Sequence, residues 1–222
     1  MMQIQKTDLV EQVYDTIKEG ILSGRLAPLE TLRQEELADT MGVSRQPVSH
    51  AMVILERDGL VVDKGRKGKM VAPIDPDQIL SLYQVRGALD GLAARLAAER
   101  ISQTGINQLN QFIEQGQEAV LAHDKDALAI SDIAFHRALY QLSENPEIAR
   151  IADASWAHMV RSMHRVLEDD RLYQQIWSDH AAIADAIIKH NPDEAARLAS
   201  HHAESSGQAT YQRLSQGQAL PQ

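Results

Sequence analysis

The stretch that decides the fold of the N-terminal part runs from Leu37 to Leu60 and reads LADTMGVSRQPVSHAMVILERDGL. Leu37, Ala38 and Met41 give a short helix one apolar face, Gly42-Val43 break it, and Ser44 caps a second helix. Along that second helix Val48, Ala51, Met52 and Leu55 recur at helical spacing and face inward. Arg45, Gln46, Ser49, His50 and Val53 are left facing out. Pro47 falls in the first turn, where a missing N–H costs little. Two helices joined by a short turn containing glycine form a helix-turn-helix.

The flanks complete a winged version of it. Upstream, a helix from about Thr7 to Ser23 carries Val10, Val13, Ile17 and Ile21 on one face and stops at Gly24, and Arg25 to Thr31, with Pro28, reads as a loop. Downstream, Gly59-Leu60-Val61-Val62, the basic glycine-containing turn Asp63 to Lys69, and Met70-Val71-Ala72 read as a β-hairpin. Pro73 and Pro76 mark a boundary, with Asp75-Pro76 as the cap and first-turn residue of the next helix. The expected organisation is a DNA-binding domain over 1–74, a helical domain over 75–214 and a loose tail over 215–222. Helices are predicted at 76–101, 105–122, 125–143, 146–168, 171–190 and 192–213. The fold class is mostly α.

Composition agrees with that class and narrows the function. Only 4% of the 222 residues are aromatic, while Ala, Leu, Gln and Ile recur throughout, which favours helix packing over sheet. No run of about 18 uncharged apolar residues exists and the first twenty residues lack a basic and apolar leader, so a cytoplasmic protein with no membrane partner is expected. Without cysteine, any metal must be held by His and carboxylate. The net charge of −9 is uneven: residues 1–74 hold 10 basic and 11 acidic side chains, 75–222 hold 12 and 20, and 43–69 hold six basic against three acidic. That local basic patch is what meets phosphate.

Within the helical domain, ionisable residues stand where periodicity expects apolar ones. The stripe of the 125–143 helix runs Leu128, Asp132, Phe135/His136, Leu139 and Leu142; that of 171–190 runs Ile176, His180, Ile183 and Ile187; that of 192–213 runs Ala195, Leu198/Ala199, His202 and Ser206. His201 falls instead with Glu194, Arg197 and Ser205 on a polar face. Burying such groups unpaired costs several kcal/mol in order of magnitude, and a divalent metal held by Asp132, His136, His180 and His202 compensates them. Hydrogen-bonded core histidines are the plainer explanation for any one of them. Zn is the first choice of metal, with Ni or Mn as alternatives. On the 76–101 helix Arg86 interrupts the stripe Ile79, Leu82/Tyr83, Leu89 and Ala93, with Asp90 one turn on. The pair is either a buried ion pair or a guanidinium aimed at a ligand carboxylate. Arg137, Asn145, His158, Arg161 and Arg165 are further candidates for that effector pocket.

At the DNA end, Arg45 and Gln46 are best placed for base edges. Arg33, Ser44, Ser49 and His50 complete the helix-turn-helix surface, and Lys64, Arg66, Lys67 and Lys69 are assigned to phosphates or a minor groove.

The quoted stretch resembles the GntR family of bacterial regulators. Val85-Arg86, Leu89-Asp90, Asp132-Ile133-Ala134-Phe135-His136, Asn145-Pro146, His180 and His202 resemble the FCD effector domain of its FadR subfamily. The resemblance implies a homodimer on palindromic operator DNA, a bundle of six or seven helices, a buried divalent ion at the matched Asp and His positions, and a small carboxylic-acid effector that completes its coordination. The chain departs from the family at Ser49-His50, where Arg-Glu is usual, and at Asp90, where Glu is usual. The expected function is a ligand-responsive transcription regulator, a repressor of a catabolic operon, and not an enzyme. Two alternatives use the same ligands: a metal-dependent hydrolase or lyase, in which the ion activates water, and a direct metal sensor.

Overall fold

A computed structural model describes residues 7–65, 68–166 and 170–217. It divides into two compact units, Met1–Ile74 and Asp75–Gln222. Arg66, Lys67 and residues 218–222 lie outside the described residues, as does the side chain of Arg165.

In the first unit, α1 (Thr7–Leu22) is followed by β1 (Thr31–Leu32), α2 (Gln34–Met41), α3 (Arg45–Arg57), β2 (Val61–Asp63) and β3 (Lys69–Val71). Val13, Ile17 and Ile21 of α1 are buried together with Val48, Ala51, Met52 and Leu55 of α3, so the two apolar stripes share one core. Gly42 ends α2 at φ 66, a left-handed conformation that glycine takes without a Cβ penalty, and the chain turns directly into α3. The hairpin forms with Val61 opposite Val71 and Asp63 opposite Lys69.

Two local expectations change. Thr31–Leu32 is a strand and not loop: it pairs antiparallel with β3, giving the sheet order β1-β3-β2. Two residues carry no readable period, and this pairing exists only because tertiary packing brings them beside Lys69 and Met70. Ser44 occupies the cap position of α3 with extended backbone, but its hydroxyl makes no capping bond.

The second unit is helical throughout its described residues: α4 (Pro76–Arg100), α5 (Gln103–Ala122), α6 (Lys125–Leu142), α7 (Pro146–Val166), α8 (Asp170–Ile188) and α9 (Pro192–Gly217). Side-chain caps fix the starts of α4, α5 and α6 among others, with Asp75, Ser102 and Asp124 accepting from the N–H groups of Asp77, Gly105 and Ala127. The last helix runs on through residues 215–217, which were expected in the tail. No helix breaker intervenes, and Leu214 is still buried.

The core is built around α4, on which Ile79, Tyr83, Arg86, Asp90, Ala93 and Ala97 are all buried. Helix α9 lies close against it because both carry small residues. A Cβ on Gly91 would sit 2.2 Å from Ser200 Oγ, and one on Gly207 2.5 Å from Tyr83 Cβ. That approach brings the inward stripe of α9 up to the polar residues of α4, α6 and α8. No helix among the described residues is long and apolar enough to cross a membrane.

Candidate functional site

Four ionisable side chains meet inside the second unit. Asp132 and His136 come from consecutive turns of α6, His180 from α8 and His202 from α9; all four are buried, and one donor atom of each lies within 4.8 Å of the others. His180 Nε2 is 3.1 Å from His202 Nε2 and 3.5 Å from Asp132 Oδ1, while His136 Nε2 is 3.9 Å from the same oxygen. Aromatic neighbours set the rings: Phe135 stacks on His180 at 4.3 Å, and Trp177 meets its edge at 4.8 Å.

The hydrogen-bond inventory shows what this cluster lacks. Neither ring nitrogen of His136, nor Nδ1 of His180, has a hydrogen-bond partner, although all are buried. Burial, reinforced for His136 by the Arg86 charge and for His180 by His202, drives both imidazoles below their ordinary pKa. They are therefore neutral, which is the form that offers a lone pair to a cation. Two nitrogens bound at about 2.1 Å to one ion lie roughly 3.0–3.4 Å apart. The 3.1 Å between His180 and His202 falls in that range, the contacts to Asp132 are wider, and the four donors together could hold a divalent metal.

Behind the four candidate donors, further side chains orient the rings. His202 Nδ1 stands 3.3 Å from Asp179 Oδ2, and Gln175 Nε2 donates to the other carboxylate oxygen at 2.8 Å. His136 Nδ1 lies 3.3 Å from Asp90 Oδ2, without the alignment of a hydrogen bond. Asp90 also accepts from Arg86 Nε at 3.1 Å and from the Tyr140 hydroxyl at 2.6 Å. Burial alone would raise its pKa, but the Arg86 guanidinium, with the Tyr140 hydrogen bond, holds it well below the usual carboxylate range. Of the two sequence readings of Arg86, the buried ion pair with Asp90 is observed. Its Nε pairs with Asp90, while its Nη2 is buried with no partner. The guanidinium lies over Tyr83 and borders a cavity of about 100 Å³ that Asp132 and His202 also line.

In the first unit, Arg45 and Gln46 begin α3 and are exposed, as is His50 one turn on, with Ser49 half-buried and Val53 60% exposed on the same helix. The uncapped N-terminus beside Ser44 is suited to an anion such as phosphate. Lys64 is exposed on the hairpin.

Residues 9–71 match the model of the bacterial regulatory proteins of the gntR family, and residues 81–205 match the FCD domain. The chain belongs to the GntR family. Its relatives include the Uxu operon regulator of Haemophilus influenzae, 30% identical over 85% of this chain and 75% of that protein. A probable D-xylose utilization operon transcriptional repressor of Paenarthrobacter nicotinovorans is 27% identical over 90% and 88%. In fold, the chain is similar to the crystal structure of a putative transcriptional regulator GntR from Rhodococcus sp. RHA1, with TM-score 0.79 and 20% identity over 92% of this chain and 98% of that one. This GntR-family chain is a transcriptional regulator with an FCD domain, and its relatives are regulators and not enzymes. The hydrolase alternative falls on that finding.

Several residues assigned from the sequence of this GntR-family protein take other places. Arg137, Asn145, His158 and Arg161 do not line the cavity. Arg137 is exposed, with its guanidinium over Trp156. Asn145 caps α7 through Glu147 N–H, His158 is half-buried, and Arg161 is buried, which lowers its pKa. Asp90 stands behind the cavity as the partner of Arg86. At the other end Lys69 Nζ pairs with Glu56 at 2.6 Å, tying the hairpin to α3, and Arg33 pairs with Glu36 at 2.9 Å.

Asp179, Gln175 and Tyr140 escaped the sequence reading. Asp179 directly precedes His180 and so falls off the apolar stripe, and no spacing links it to His202. Its role gives a prediction. With a metal held by the four donors, Asp179→Ala would lower its affinity about 10- to 100-fold, as loss of a side chain that orients a ligand does, and Asp179→Asn, which keeps an acceptor, would lose less. Competition against a chelating dye measures both, and equal affinity in Asp179→Ala would show that the contact does not orient His202.

Proposed function

We propose that this chain is a ligand-responsive repressor whose second unit binds a divalent metal and a small carboxylate. Its first unit, in a homodimer, binds a palindromic operator. Asp132, His136, His180 and His202 would hold the metal, zinc by preference, with nickel or manganese possible for the same donors. When bound, the ion supplies open coordination positions to a carboxylate oxygen. Arg86 supplies the second grip, since its Nη2 is buried and unpartnered at the edge of the same cavity. That juxtaposition, an unsatisfied guanidinium beside four converging metal donors, carries the reading. Relatives named as a D-xylose utilization operon repressor and a Uxu operon regulator support a repressor of a catabolic operon.

On the DNA side, Arg45 and Gln46 read base edges from the start of α3. Ser44 and the α3 N-terminus, with Ser49, His50 and Arg33 around them, position the helix. Lys64 reaches phosphate, the role that the sequence also gives Arg66 and Lys67. Lys69 contributes by fixing the hairpin to Glu56.

Thermal denaturation tests the ligand half. Zinc raises the Tm of metal-free protein, and a carboxylate raises it further only when zinc is present; at 100 times its Kd a ligand adds about 2.7 kcal/mol. No shift with zinc would remove the metal site. A shift with zinc alone that also releases operator in a gel assay would make the protein a direct metal sensor.

A further inference from the structure

The cavity beside Arg86 is lined by the polar Arg86, Asp132 and His202 and by four largely carbon side chains, Leu128, Met163, Tyr173 and Trp177; most of its wall surface is carbon. Those four belong to one buried apolar cluster with Ala119 and Ala129, so this wall is a face of the hydrophobic core itself. Trp177 is held there by a notch: a Cβ on Gly116 would lie 2.1 Å from its ring.

The polar side chains around the rim are mostly engaged within the chain. Thr210 Oγ1 donates to Ser206 O at 2.7 Å, Gln175 Nε2 donates to Asp179, and Asp179 faces His202. Ser205 Oγ lies 3.4 Å from His201 Nε2. Besides these, the wall carries the hydroxyls of Tyr83, Tyr173 and Ser206, fewer than the hydroxyls of a sugar acid such as gluconate. Each hydroxyl buried without a partner costs on the order of 5- to 100-fold in affinity.

Resting on the carboxylate-binding reading above, we infer that the acid this site takes is a monocarboxylate with a compact apolar body and not a polyhydroxylated sugar acid. Its carboxylate meets Arg86 and the metal donors, and its hydrocarbon lies against Met163, Leu128 and Trp177. An apolar cavity of about 150 Å³ accepts benzene. A cavity of about 100 Å³ therefore takes an acid of roughly three to five carbons, its carboxyl carbon included.

Calorimetry on the zinc-loaded full-length protein tests this with acetate, propionate, butyrate and valerate against gluconate. Affinity rises about fourfold per added methylene until the cavity is full, and gluconate binds more weakly than butyrate. Met163→Gln, close in volume but polar, flattens that rise. Gluconate binding more tightly than butyrate, with the binding lost in Arg86→Ala, would overturn the apolar-body inference and leave the carboxylate site standing. A flat series in the unaltered protein, or a rise undiminished in Met163→Gln, would also overturn it. Failure of every acid to bind would overturn both readings.

Discussion

His202→Ala and His136→Ala each lose the metal and the carboxylate together, whereas His201→Ala loses neither. His202 and His136 are buried with Nε2 in the four-donor cluster, and His201 is exposed on the other side of the same helix. Loss of an outer-shell partner already costs roughly 10- to 100-fold in metal affinity, and loss of a ligand exceeds that. On the function proposed above, the carboxylate would follow because one of its two anchors would be an open position on the ion. Arg86→Ala separates the two effects, weakening the acid while the four donors keep the ion. Its cost is leaving Asp90 buried with Tyr140 and His136 as remaining partners, so thermal stability falls as well. Metal content by mass spectrometry and acid affinity by calorimetry, measured on the same four variants, decide the matter. A His202→Ala protein that keeps its full metal content while His201→Ala loses it would reverse the assignment.

Arg45→Ala abolishes discrimination of the operator while the protein stays folded. Arg45 is exposed at the first position of α3, so its removal takes nothing from the core, and Tm stays close to that of the parent chain. A bidentate contact to a base is worth about 1–3 kcal/mol, and a dimer loses it in both half-sites. The combined loss of about 2–6 kcal/mol corresponds to roughly 30-fold up to on the order of 10,000-fold in operator affinity. Binding to unrelated DNA falls far less, because phosphate contacts supply it. Fluorescence anisotropy with operator and scrambled duplexes at matched salt measures the ratio. An unchanged ratio would take Arg45 out of base recognition.

Burial periodicity made much of this readable in advance. A side chain at every third or fourth position of a helix either faces the core or does not, so the stripes on α6, α8 and α9 placed Asp132, His136, His180 and His202 inward without any knowledge of their neighbours. The same rule set His202 apart from His201, although the two are adjacent. Asp75-Pro76 announced the start of α4 because a cap and a first-turn proline act within four residues. The two helices and hairpin of the first unit follow equally from local turn chemistry and alternation.

Periodicity says which way a side chain faces, never which atoms it meets. Arg137, Asn145, His158 and Arg161 are compatible with a pocket on paper, and only the packing of α4 against α9 shows that the cavity opens elsewhere. Asp179 finds His202 across 23 positions of chain, Tyr140 finds Asp90 across 50, and Lys69 reaches Glu56 from another element. What the sequence alone determined is the set of inward-facing ionisable groups and the two-unit order of elements, since both are local properties of the chain. The pairing of β1 with β3, the partners that orient each imidazole, the free nitrogen of Arg86 and the carbon wall of its cavity were decided by tertiary structure. Each depends on the distance between residues far apart in the chain, and that distance is fixed only when the small residues of α4 and α9 let the helices close.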